Sequence, residues 1–144
     1  MLKNRFPVGL LPLLASAILG CPQKTAVWLA PGSSAEHLVF LLGYEVGHPR
    51  PVSFYLFRVD RCEPHGAGSH LAEPVWFLFR ELVEPDYPPD PAAITYGEPP
   101  PGYEASNPAP PLAPGCYLAT ISGTGRARFQ VLPGGEISEL KESP

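Results

Sequence analysis

The segment Cys116–Val131, CYLATISGTGRARFQV, contains the clearest β-hairpin pattern of the chain and decides the fold class. Its two apolar runs are separated by Gly-Thr-Gly at 123–125, a composition typical of a short hairpin loop. In the second run, Arg126–Val131, polar and apolar residues alternate with the two-residue period of a half-buried strand. The pattern therefore predicts an antiparallel hairpin. Three side chains are expected on its inner face: Ala127, Phe129 and Val131.

Further runs that are rich in aromatic and β-branched residues predict more strands, each bounded by turns that contain Gly or Pro. The predicted strands are Thr25–Ala30, His37–Val46, Val52–Cys62, Pro74–Leu82 and Ala93–Tyr96, with an edge strand at Ile137–Leu140. Trp76 is expected in the core. The 21 prolines and 14 glycines argue against a helical bundle. We therefore predict an all-β, antiparallel sandwich of about seven strands over residues 25–140, followed by a flexible tail at 141–144.

The block Pro114–Val131, PGCYLATISGTGRARFQV, resembles the last two strands of immunoglobulin-like and fibronectin-type sandwich domains. In those domains a Pro-Gly turn leads into a strand that bears a tyrosine. The resemblance implies an immunoglobulin-like β-sandwich, for which about seven short strands are the expected number. The chain departs from antibody domains in one respect. Cys62 closes the third predicted strand, so the usual disulfide between the second and sixth strands is not available.

The N-terminal segment Met1–Cys21, MLKNRFPVGLLPLLASAILGC, has the pattern of an export signal. Lys3 and Arg5 precede an uncharged, mostly apolar run at 6–20. Its last four residues, Ile18–Cys21, resemble the lipobox of bacterial lipoprotein signal peptides. The resemblance implies that residues 1–20 are removed and that Cys21 is acylated with diacylglycerol and a further fatty acid such as palmitate. Residues 21–24 would then be the lipidated cysteine and a short tether to a bacterial membrane.

Two alternatives to the lipoprotein hypothesis remain open. A membrane-spanning helix is disfavoured, because fifteen residues of helix span only about 22 Å of the roughly 30 Å of hydrocarbon. Plain secretion, with cleavage after Ala15-Ser16-Ala17, would leave Cys21 as a free thiol. We retain the lipoprotein hypothesis, which predicts a protein of the cell envelope that is lipid-anchored to a bacterial membrane and faces the periplasm or the exterior. Loss of Lys3 and Arg5 would lower the formal net charge of −4 by two, and such an acidic chain has no electrostatic footprint for nucleic acid.

Cysteine usage supports export. If Cys21 is lipidated, Cys62 and Cys116 remain as an even pair, and an oxidising compartment favours a disulfide between them. The alternative is a zinc or copper site, because Cys62, His65 and His70 have a Cys-x2-His-x4-His spacing. The two uses exclude each other, since a metal requires the thiolate. We expect the disulfide, and hence no metal and no other cofactor.

Residues 84–114 contain 11 of the 21 prolines. A disordered linker would not need the apolar and aromatic residues found here, so we expect a long ordered segment pinned by one short strand. Ile94, Tyr96 and Tyr103 are expected to dock on the sandwich. Three tyrosines of the segment also form a candidate binding surface: Tyr87, Tyr96 and Tyr103. The alternative is that these rings only hold the loop in place.

Residue patterns typical of catalysis are missing. The sequence contains no Gly-x-Ser-x-Gly elbow. Four serines lie in or beside predicted turns without a shared base: Ser33, Ser34, Ser69 and Ser122. The carboxylates of the Pro-rich segment are expected to be solvated, as carboxylates in such loops usually are, and not to act as an acid–base pair. We therefore predict no enzyme, but a lipid-anchored binding or structural accessory module. Its partners would be the membrane and an envelope protein. The alternative function is periplasmic metal binding through the cysteine and histidines named above.

Overall fold

The structure of the protein, a computed structural model, describes residues 24–62, 74–80, 89–122 and 124–141. These residues form ten β-strands and no helix, which confirms the predicted all-β class. The strands are β1 Ala26–Leu29, β2 Val39–Glu45, β3 His48–Pro49, β4 Leu56–Cys62, β5 Pro74–Phe79, β6 Ala93–Thr95, β7 Glu104–Ala105, β8 Gly115–Ile121, β9 Arg126–Val131 and β10 Ile137–Leu140.

Two antiparallel sheets pack on one another, as predicted for a sandwich. In the smaller sheet, β2 pairs with β1 along one edge, while β6 and β3 share the other edge. The larger sheet has the order β10-β9-β8-β4-β5-β7, and every neighbouring pair is antiparallel. The hairpin that the sequence indicates most clearly is β8–β9, and it lies within this larger sheet.

Aromatic side chains fill the space between the sheets. The ring of Phe40 in β2 lies 5.1 Å from that of Phe57 in β4 and 5.8 Å from that of Phe129 in β9, measured between centroids. Trp76 is fully buried, as predicted. The inner face predicted for β9 is also confirmed, because Ala127, Phe129 and Val131 are all buried. The two sheets therefore share one apolar core.

The strand order is that of an immunoglobulin-like sandwich. The strands β1-β2-β6 take the places of A-B-E, and β9-β8-β4 take those of G-F-C. Tyr117, near the start of β8, donates a hydrogen bond of 2.6 Å from its hydroxyl to the carbonyl of Ala113, four residues upstream. Such a tyrosine corner is a hallmark of these domains at the same strand. It fixes the Pro-Gly turn against the strand that follows.

The predicted disulfide between Cys62 and Cys116 is present. The two cysteines face each other in register at the ends of β4 and β8, with their Cα atoms 5.1 Å apart. The bond therefore joins two strands of one sheet, whereas the antibody disulfide joins the two sheets.

The sandwich has two ends that are distinct in what they carry. We call the first the entry end, because Lys24 leads into β1 there; it also carries the β2–β3 turn and Tyr55. Thr25 is fixed at this end, since its hydroxyl accepts a hydrogen bond of 3.2 Å from the amide of Gly125. The opposite end, called the far end, carries the disulfide and the turns at 31–34 and 133–136.

The sequence underestimated the number of strands and misplaced one boundary. The turn predicted at 47–51 contains β3, and the Pro-rich segment contains β7 besides the predicted β6. The strand predicted from Val52 begins only at Leu56. The amide of Val52 donates to the carbonyl of Pro91 and that of Tyr55 to the hydroxyl of Ser122, so neither belongs to the β4 ladder. The inward-facing phase accordingly shifts between Phe54 and Phe57, which are both buried.

Gly43 in β2 is required by close approach of the backbone. A Cβ atom at this position would lie 2.5 Å from the carbonyl oxygen of His48 and 3.2 Å from Cη2 of Trp28. We expect Gly43→Ala to lower the free energy of unfolding by about 1–3 kcal/mol, as overpacking typically does. Gly134→Ala is the matched control, because nothing lies within 4 Å of its added Cβ. Urea unfolding of both variants measures the difference, and equal midpoints would contradict the packing shown.

Removal of the disulfide gives a second prediction. The bond closes a loop with a sequence separation of 54 residues. On the chain-entropy model, the double variant Cys62→Ala/Cys116→Ala should lose up to about 4 kcal/mol of unfolding free energy. Urea unfolding with and without reductant is the measurement. Reductant should weaken the parent and leave the variant unchanged; a parent indifferent to reductant would argue against the bond.

Candidate functional site

The Pro-rich segment is held on the sandwich by Tyr103. The ring of Tyr103 stacks on that of Phe54 at 4.4 Å between centroids, and its hydroxyl donates to the Phe54 carbonyl at 3.1 Å. The Arg80 guanidinium lies over the same ring at 5.5 Å and forms an ion pair of 3.1 Å with Asp90. Since the Arg80 side chain is only 7% exposed, this ion pair is less screened than one on an open surface.

Tyr96 holds the segment at a second point. Its ring meets that of Trp76 edge to face at 5.1 Å, and its hydroxyl donates to the carbonyl of Pro110 at 2.7 Å. The hydrogen bond closes the segment on itself, so that residues 96–98 lie against residues 109–110. The backbone is accordingly close there: a Cβ built on Gly97 would sit 3.4 Å from that of Ala109.

Five exposed prolines lie on the outer surface of this segment, beside the exposed Glu98, Ser106 and Asn107, and we call these prolines the proline ridge. Its members are Pro99, Pro101, Pro108, Pro110 and Pro111. Each proline has a fixed φ, and the tyrosine hydrogen bonds fix the backbone between them. The ridge is therefore a stiff surface that presents apolar rings without a backbone N–H at those positions.

The predicted docking of Ile94, Tyr96 and Tyr103 is confirmed. Ile94 is fully buried and Tyr103 is 6% exposed, while Tyr96 is partly buried. Burial removes Tyr103 from the candidate binding surface proposed for Tyr87, Tyr96 and Tyr103, because its ring faces the core. Tyr87 lies outside the described residues. The exposed groups of the segment thus include the prolines, while Tyr96 and Tyr103 hold the segment on the sandwich.

The alternative metal site loses its thiolate ligand. Cys62 is bonded to Cys116, and a disulfide sulfur cannot serve as the thiolate that zinc or copper would need. His65 and His70 lie outside the described residues. Within the described ranges, no three His, Cys, Asp or Glu side chains are grouped closely enough to hold a metal ion.

Serine hydroxyls near the turns serve the backbone. The Ser33 hydroxyl exchanges hydrogen bonds of 3.3 Å with the amide and carbonyl of Val39, and Ser34 accepts from the amide of His37. Both serines line an open cleft of about 430 Å³ at the far end, between the 31–34 and 133–136 turns. The other residues that line the cleft are Gly32, Gly134, Gly135, Glu136 and Ile137.

Two features of the surface were not found from the sequence. The Arg80–Asp90 pair that anchors the Pro-rich segment joins residues ten positions apart with no motif between them. The exposure of Tyr44, Val46 and Tyr55 was missed because each lies in an apolar run that resembles a buried strand. Phe54 and Phe57 are three residues apart, so both can face the core only if the inward-outward alternation shifts between them. That spacing was the available signal in the sequence for the exposure of Tyr55.

The hydroxyl of Tyr96 makes the docked segment sensitive to alkaline pH. Burial raises the pKa of Tyr96 to about 12, with a smaller contribution from Tyr117, and burial also raises the pKa of Tyr103. The folded state therefore disfavours the phenolate. This stabilising contribution is complete below pH about 10, the unfolded value, and is lost as the pH rises through about 12.

We expect Tyr96→Phe to flatten this loss of stability between pH 10 and 12. At neutral pH the variant should lose about 1 kcal/mol with the hydrogen bond to Pro110. Tyr55→Phe is the control, because the Tyr55 ring is 61% exposed. Urea unfolding at a series of pH values is the measurement. A Tyr96→Phe profile parallel to that of the parent would show that this hydroxyl does not carry the effect.

Comparison of the chain with models of known protein families, with curated proteins and with solved structures finds no significant match in any of the three. None of the residues that the structure describes belongs to a helix long and apolar enough to cross a membrane. The segment Met1–Cys21 lies outside those residues.

Proposed function

We propose that the protein is a lipoprotein of the bacterial cell envelope, anchored through acylated Cys21, whose sandwich is a non-catalytic binding or structural accessory module. The anchor is supported by the export pattern and lipobox resemblance of Met1–Cys21. Two acyl chains on the diacylglycerol and a third on the amine hold a protein firmly, whereas one chain alone binds weakly. The disulfide suits the same oxidising compartment.

The observation that carries the binding role is the proline ridge. It is fixed by Tyr103 to the core, by Tyr96 to its own backbone, and by the amide of Ser106 to the carbonyl of Phe77 at 3.0 Å. A surface that is already ordered has little entropy to lose when it binds. Proline-rich surfaces of this kind suit partners whose grooves are lined with aromatic side chains. The partner proposed is therefore an envelope protein with such a groove.

The test uses the full chain, expressed in its membrane-anchored form and crosslinked in intact cells. We expect Pro110→Asp/Pro111→Asp to lower the yield of a specific crosslinked envelope protein at least tenfold, because two carboxylates would enter an apolar groove. Pro133→Asp is the matched control, since Pro133 is an exposed proline in the far-end turn. Mass spectrometry identifies the crosslinked protein, and incorporation of labelled palmitate reports the anchor.

Two results would overturn the proposal in different parts. Palmitate incorporation that survives Cys21→Ala, or that is absent from the parent, would remove the lipoprotein assignment. Equal crosslinking by the ridge variant and the Pro133 control would remove the ridge as the binding surface.

A further inference from the structure

Exposed apolar side chains are concentrated at the entry end. In the part of the chain that the structure describes, three large apolar side chains are exposed: Val46 at 66%, Tyr55 at 61% and Tyr44 at 41%. Tyr44 and Val46 lie in the smaller sheet at the β2–β3 turn, whereas Tyr55 precedes β4 in the larger sheet. Single exposed apolar residues are normal, but here both sheets place theirs at the same end.

The chain reaches the sandwich at that end as well. Lys24 is the first described residue, and the hydrogen bond between Thr25 and Gly125 fixes the start of β1. Lys24 follows Cys21 by three positions, so their Cα atoms are at most about 11 Å apart. An acylated Cys21 lies at the membrane surface, where each headgroup layer is roughly 5–8 Å deep. The tether therefore keeps the entry end close to the headgroups.

The exposed charged residues are also distributed unequally between the entry end and the far end. Among the described residues, the exposed basic side chains at or beside the entry end are Lys24, Arg50, Arg126 and Lys141, and the exposed acidic ones are Glu45 and Glu104, with Glu139 two residues before Lys141. Among the described residues at the far end, the exposed Glu36, Glu98 and Glu136 outnumber Arg61. The exposed charges of the described residues accordingly favour the entry end over the far end as the side that faces an anionic surface.

We infer that the entry end is a docking surface for an anionic lipid bilayer, with Tyr44, Val46 and Tyr55 in the headgroup region. Tyrosine suits this position, because its ring is apolar while its hydroxyl stays in contact with water. Docking fixes the orientation of the sandwich on the membrane and turns the disulfide-bearing far end away from it. The inference rests on the proposed anchor at Cys21.

The test places a fluorophore at either end of the full-length, acylated protein in vesicles of phosphatidylethanolamine and phosphatidylglycerol. Val46→Cys carries the label at the entry end, and Glu36→Cys, which is also exposed, carries it at the far end. Cys21 is blocked by the acyl group and Cys62 is bonded to Cys116, so the new thiol is the one that reacts. Spin-labelled lipid should quench the label at position 46 several-fold more strongly than the label at position 36.

A second variant tests the role of the aromatic residues. Adding Tyr44→Ser and Tyr55→Ser to Val46→Cys should reduce the lipid quenching to the level of the far-end label, with an unchanged unfolding temperature because both rings are exposed. Equal quenching at positions 46 and 36 in the parent would overturn the docking. Protection of position 46 from aqueous iodide without quenching by lipid would show a protein cover and would overturn the bilayer assignment.

The anchor is checked separately in the same samples. Mass spectrometry of the N-terminal peptide reports whether Cys21 is acylated. An unmodified Cys21 would overturn the proposed function and the docking with it. An acylated Cys21 with position 46 in water would overturn the docking alone.

Discussion

The contact of Phe40 with both Phe57 and Phe129 is the interaction on which the rest of the structure depends. Phe40 is fully buried, belongs to the smaller sheet, and lies against two strands of the larger sheet. Without such a contact, each sheet would expose an apolar face to water at a cost of about 25 cal/mol per Å². Aromatic pairs of this geometry add about 0.5–1.5 kcal/mol beyond the buried area. These three rings therefore join the two sheets within one apolar core that both sheets line.

The same aromatic network continues out of the sandwich and orders the Pro-rich segment. From Phe57 it passes to Trp76 and then to Tyr96, and by a second branch to Phe54 and then to Tyr103. The segment can be ordered because its prolines leave the unfolded chain with less freedom to lose. The rings then need to offset a smaller entropy than they would for an ordinary loop of this length. The high proline content, which by itself suggests disorder, thus favours an ordered segment once Tyr96 and Tyr103 contact the core.

Strands that local patterns indicate could be predicted from the sequence, whereas contacts that depend on the folded path of the chain could not. The strands β9 and β10 were predicted with their bounds, because alternation and flanking Gly and Pro are local signals. The disulfide was also predicted, since cysteine counting needs no geometry. In contrast, β3 and β7 are two residues long and exist only because a neighbouring strand offers its edge. The Arg80–Asp90 pair likewise depends on the path of the folded chain. The burial of Tyr103 could not be predicted with certainty for a related reason, because an amphipathic ring among prolines suits a contact with the core as well as an interface.

The division of the molecule into two ends follows from the topology of the sandwich. In an antiparallel sandwich every strand runs from one end of the sandwich to the other, so the turns that connect the strands lie at these two ends. The entry end contains the start of β1 and the β2–β3 turn, and the disulfide closes β4 against β8 at the other end. A short tether at the start of β1 would therefore place the turns of the entry end, and not those of the far end, next to its attachment point. Exposed apolar and basic residues at those turns have an environment that suits them if that attachment point is a membrane.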